Sequence, residues 1–138
     1  MKFYHGSIRK LKVLKPQNGK GEDKFENQKA IFLTPKFTQA ALYAIGKTLK
    51  KKTSFALHPN KLVIVGNLLP GNGYVYEVNI PDNEVEKGPW NQYVYKKEIK
   101  NFKVHTIDSQ KYKNKIIYVK NKETLIKYCD IEKLKQEK

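Results

Sequence analysis

Two stretches of the chain carry side chains that could hold a flat, polar ligand. Residues 4–7 read Tyr-His-Gly-Ser, and residues 30–45 read AIFLTPKFTQAALYAI. In the first, His5 offers a ring nitrogen to a hydroxyl, and Gly6 leaves a bare backbone whose N–H and C=O a ligand can approach closely. In the second, Phe32 falls in a short apolar run and Tyr43 follows eleven residues later, past Thr34-Pro35. One aromatic on a strand and one on the helix after it can close on both faces of a planar ring.

In these residues the chain resembles the ADP-ribosyltransferases of the histidine–tyrosine–glutamate type, which include diphtheria-like toxins and poly(ADP-ribose) polymerases. Their pattern opens with aromatic-His-Gly-Ser/Thr, matched here by Tyr4-His5-Gly6-Ser7. It continues with aromatic-x-[AST] and then Ala-x-x-Tyr, matched by Phe32-Leu33-Thr34 and Ala40-Ala41-Leu42-Tyr43. The resemblance implies NAD as substrate. It places a ribose hydroxyl on His5, the nicotinamide amide on the Gly6-Ser7 backbone, and the nicotinamide ring between Phe32 and Tyr43. The third member of the pattern is a glutamate just before Tyr-[IV]-[VI], where this chain has Gln92 ahead of Tyr93-Val94-Tyr95. With His5 and Tyr43, Gln92 completes the catalytic set that the resemblance implies.

Gln92 is the departure with chemical weight. Breaking the nicotinamide–ribose bond builds positive charge on the ribose, which a carboxylate stabilises. Glutamine keeps the shape and can bond a hydroxyl, but it has no charge and cannot act as a base. Loss of one such group typically slows a reaction about a hundred- to a thousandfold. Other carboxylates are within view. Glu98 shares strand parity with Gln92 but lies about 20 Å along an extended chain, whereas Glu84 and Glu86 precede the strand and Glu77 belongs to the strand before that.

The elements that must position these residues follow from pattern and punctuation. Residues 3–4 and 8 read as a first strand broken by a His-Gly-Ser turn. Ile8, Leu11, Val13 and Leu14 alternate with basic residues, a surface segment ended by Pro16. Residues 17–29 are polar and contain glycine, a mobile loop that the resemblance sets over the adenosine side of NAD. Ile31–Leu33 is a buried strand, with Thr34 capping a helix and Pro35 in its first turn. Phe37, Ala40, Ala41 and Ile45 repeat at helical spacing, and Gly46 could end the helix. Strands are expected at 55–58, 61–69, 74–80, 90–95, 102–107 and 115–119. Polar turns lie at 59–60, 70–73 and 81–89, and a C-terminal helix at 123–136.

One main helix among short strands predicts a single α+β domain over 1–138. The resemblance, which spans roughly residues 3–107, makes it a split β-sandwich of ADP-ribosyltransferase type. The last thirty residues have no counterpart in that pattern.

With 138 residues the chain suits one core. It has 28 basic against 13 acidic residues, for a net charge of +15, and every basic residue but Arg9 is lysine. Such a surface attracts nucleic acid or an acidic protein without reading bases, while compositional bias toward lysine would give the same count. The run Lys47–Lys52 reads as a solvated connection. The single cysteine, Cys129, forms no internal disulfide, and no His/Cys spacing suggests a metal. No apolar run would span a membrane and the N-terminus lacks a signal-peptide core, so a cytoplasmic protein is expected. His58 and His105 fall outside the pattern and read as structural.

The expected function is mono-ADP-ribosyl transfer, or NAD glycohydrolysis, with a protein or nucleic-acid acceptor. The alternatives are a binding module that keeps the NAD pocket without efficient turnover, and a basic nucleic-acid-binding domain.

Overall fold

The structure, a computed structural model, describes residues 1–18, 28–49, 52–58, 61–89 and 92–127. Ten strands and one α-helix are named here in chain order. They are β1 (Lys2–Ser7), β2 (Gln17–Asn18), β3 (Lys29–Leu33), α1 (Phe37–Lys47), β4 (Phe55–His58), β5 (Lys61–Val65), β6 (Gly73–Asn79), β7 (Glu86–Lys87), β8 (Tyr93–Tyr95), β9 (Lys103–Ile107) and β10 (Ile116–Val119). Short 3-10 turns cover Asp82–Glu84 and Ser109–Lys115, and residues 122–127 are helical.

The strands form three sheets in the orders β1-β6-β9, β10-β5-β4 and β2-β3-β8-β7. All pairings are antiparallel except β5 with β10. Two apolar layers result, because strand alternation splits each sheet's side chains between faces. In one, Ala40, Ala41, Leu42 and Ile45 of α1 pack with Leu62 and Ile64 of β5, Val75 of β6 and Ile107 of β9. In the other, Phe3 of β1 and Tyr76 and Val78 of β6 meet Ile31 and Leu33 of β3, with Leu14 and Ile99 beside them. The α+β class is therefore observed.

Several local expectations change. His5-Gly6-Ser7 does not break the first strand; β1 runs through it to Ser7, paired with Tyr74–Asn79 of β6. The chain turns only afterwards, where the buried Tyr76 hydroxyl donates to the Arg9 carbonyl and accepts from Leu11 N–H. Leu14 is core, not surface, held by a two-way backbone bridge to Ile99. A helix that starts at Phe37, with Lys36 at its cap, displaces Thr34-Pro35 from the first turn. Thr34 still organises the start: its Oγ1 accepts from Lys36 N–H and donates to Gln39 Oε1, each at 3.2 Å.

Gly46 lies inside α1 and does not end it; a Cβ there would meet the Phe55 ring at 2.8 Å. The polar stretch 81–89 is partly a strand, because β7 pairs with β8. Likewise Gln17–Asn18 of the presumed loop pair with β3. The rest of that loop (19–27), Lys50 and Lys51, the 59–60 turn, Trp90, Asn91 and the helix beyond 127 with Cys129 lie outside the described residues. No described helix is long and apolar enough to cross a membrane.

Candidate functional site

The site is set by the place where two sheets touch once and part. Tyr4 N–H donates to Thr34 O at 2.8 Å and Thr34 N–H to Tyr4 O at 3.0 Å, joining β1 to the chain end of β3. In an antiparallel ladder the next rung on that edge would pair Gly6 with Phe32, two residues on in each strand. That rung is replaced. His5 Nδ1 lies 2.8 Å from the Phe32 carbonyl oxygen, and because a carbonyl only accepts, Nδ1 carries the proton. The imidazole thus takes the acceptor that Gly6 N–H would have used. Strand alternation leaves the Gly6 N–H and C=O directed at the opening between the strands.

The His5 tautomer follows from this bond. With Nδ1–H donating, Nε2 of the neutral ring is an acceptor suited to a hydroxyl. Burial lowers the His5 pKa from its ordinary 6.5, against the raising effect of the Phe32 carbonyl, and the Lys47 charge lowers it further. The ring is therefore neutral at pH 7.

Gly6 is required for close packing as well. A Cβ there would collide with the Ala40 carbonyl oxygen and approach Ala44 N at 3.1 Å. Helix α1 rests directly on β1 at this point. Tyr43 is three residues beyond Ala40, hence one ridge away from Gly6 on the helix surface. It is 37% exposed while its neighbours Leu42 and Ala44 are fully buried. Lys47, one turn on, sets its ammonium 5.1 Å from the Tyr43 ring centroid, a cation–π contact. Ser7 is turned to other use, its Oγ accepting from Arg9 N–H at 3.1 Å.

Phe32 is half-buried on β3, directly opposite Val94 of β8. Gln92 sits two residues before Val94, and its carbonyl accepts from Gly88 N–H at 2.7 Å, one rung past the Glu86–Val94 pair. Residues opposite each other share a face, so Phe32, Thr34, Gln92, Val94 and Glu86 look to one side of this sheet. His5 and Gly6 reach the same opening from β1.

The structure thus joins His5 to Phe32 by a hydrogen bond and Gly6 to α1 by contact, with Tyr43 on the exposed flank of that helix. Gln92 comes from the far side of β3, across two strands from His5. A cavity of about 320 Å³ opens over Val94 between Glu84, Glu86 and Lys96. It does not reach His5 or Tyr43. Among the described residues no cluster of His, Cys, Asp or Glu could hold a metal ion.

Lys47 was missed by sequence reasoning, which assigned it to a solvated run. The signal was its spacing of four from Tyr43, which puts both on one helix face. The structure gives Glu77 to His105, at 3.2 Å, and to Lys2, at 3.7 Å. The His105 hydrogen bond, then the nearby lysines, hold the Glu77 carboxyl below its ordinary pKa. That pair supports the structural reading of His105 and removes Glu77 from the candidates near Gln92. The side chain of His58 is outside what the structure describes. Among known proteins, no family model, no curated protein and no solved structure matches this chain.

Proposed function

We propose that the chain is an NAD-binding protein of ADP-ribosyltransferase type, its sheets forming the split β-sandwich of that superfamily. The observation that carries this reading is the His5–Phe32 bond at the parting of β1 and β3. It supplies a neutral imidazole with Nε2 ready for a ribose hydroxyl, and beside it the Gly6 N–H and C=O ready for a carboxamide, which needs one acceptor and one donor. Tyr43 and Phe32 offer aromatic faces for the nicotinamide ring, and Lys47 a cation for the pyrophosphate.

The reaction is transfer of ADP-ribose to a protein or nucleic-acid acceptor, or to water. The bond from ribose C1′ to the nicotinamide nitrogen breaks, its electron pair leaving with neutral nicotinamide. The acceptor's lone pair then closes on C1′, and the proton the acceptor carried on N–H or O–H passes to water. A second reading, a module that binds NAD without turning it over, is favoured by the neutral side chain of Gln92.

The test is NAD-dependent thermal stabilisation with nicotinamide release measured alongside. NAD at about a hundredfold its Kd should add about 2.7 kcal/mol of stability. Tyr43→Ala, at an exposed position, should stay folded and lose that shift. Release of nicotinamide separates the transferase from the binding module, and no thermal shift in the wild type would refute both.

A further inference from the structure

We propose that Glu86 supplies the carboxylate that Gln92 does not, reaching the ribose from the paired strand; this rests on the transferase reading above. Four observations lead there. Glu86 is directly opposite Val94 in the β7–β8 ladder, and the Gly88–Gln92 bond continues that register to Gln92. Gln92 is therefore the diagonal neighbour of Glu86 on the same face, about 7–8 Å away between Cα atoms, a gap long side chains span. The same face carries Phe32 opposite Val94, so Glu86 lies two strands from the aromatic of the nicotinamide site with the Val94 side chain between them. Finally, Glu86 lines the cavity of about 320 Å³ beside Val94, which gives its carboxylate access to water on the side away from Gln92.

The other carboxylates are less well placed. Glu77 is bonded to His105 on the far side of β1. Glu84 belongs to the 3-10 turn before β7, further from Gln92 along the chain, and Glu98 lies beyond the end of β8. Glu86 is paired only loosely, its Oε2 being 4.0 Å from Lys96 Nζ with both side chains more than 60% exposed. An exposed pair of that length contributes little and can exchange one partner for another.

In the transfer step Glu86 faces the positive charge that grows on the ribose as the C1′–N bond breaks. Its carboxylate then takes the proton that the acceptor's N–H or O–H loses on bonding to C1′, and passes it to water. Gln92 holds the ribose hydroxyl by its amide, a positioning role that needs no charge.

The experiment compares wild type, Glu86→Gln, Glu98→Gln, Gln92→Glu and the double variant Glu86→Gln/Gln92→Glu. Nicotinamide release from NAD and the NAD-induced rise in Tm are measured for each. Glu86→Gln should lower kcat about a hundredfold with KM and the thermal shift unchanged. Glu98→Gln should match the wild type. The double variant should recover most of the loss, since the charge returns one diagonal position away. That rescue separates a charge requirement from a merely structural one. Wild-type rates in Glu86→Gln would overturn the assignment and leave the transferase reading standing. No release from any form, with the thermal shift intact, would overturn both.

Discussion

His5 combines a half-buried ring with a fixed tautomer, and both have consequences for pH. Its pKa is lowered in the fold, chiefly by burial. Between the lowered value and the ordinary 6.5, the unfolded chain binds more protons at this residue than the folded one. Stability therefore falls as pH drops below about 6.5, and the His5 contribution is constant above it. NAD binding should weaken only at lower pH, below the lowered folded-state value, because protonation of the folded ring converts Nε2 from acceptor to donor. Melting curves of wild type and His5→Gln between pH 5 and 8 check this (a range chosen around the ordinary histidine value). The acid fall should be shallower in the variant, and an identical slope would mean that His5 takes up its proton in the fold as freely as in the unfolded chain.

At the scale of elements, two of the glycines at the seat of α1 act in different ways. Gly6 faces backbone: a Cβ there would strike the Ala40 carbonyl, which cannot move without shifting the helix. Gly46 faces the Phe55 ring and a Leu62 methyl, side chains that can turn aside. Gly6→Ala should thus cost about 1–3 kcal/mol, as overpacking does. Gly46→Ala should cost less, since alanine returns up to about 1 kcal/mol of helix propensity. Chemical denaturation of the two variants measures the difference. If Gly46→Ala is the worse of the two, α1 is anchored on the β4–β5 side rather than on β1.

For the whole molecule, the net charge of +15 sets the dominant long-range field. Lysines without arginine forks would capture nucleic acid through phosphates alone. Binding to single- or double-stranded DNA should then fall log-linearly with salt, by about 0.9 in slope for each duplex phosphate neutralised, with little sequence preference. The exposed Lys111, Lys113 and Lys115 concentrate charge on different sides of one short 3-10 turn and offer a local test. Their joint replacement by Glu should flatten the slope if this turn touches phosphates. No binding even at low salt would leave lysine-rich composition as the whole explanation of the charge.

The sequence by itself determined the elements that depend on local chemistry. The period of Phe37, Ala40, Ala41 and Ile45 marked α1, and the β-branched run of 62–65 marked β5, since side-chain spacing alone decides which face is apolar. Tyr43 at the edge of the apolar stripe was legible for the same reason. Leu14 was not, because its burial comes from a bridge to Ile99, eighty-five residues away in sequence. Nor could spacing show that β1 passes straight through Gly6, whose role depends on a helix laid against it. The tertiary structure also decided which carboxylates lie near Gln92. Glu77, Glu84, Glu86 and Glu98 are alike as residues, and only the β7–β8 register sets Glu86 on the face of Gln92 and Phe32. Strand pairing between segments is not encoded in either segment alone; it is fixed when both find their partners in the assembled sheet.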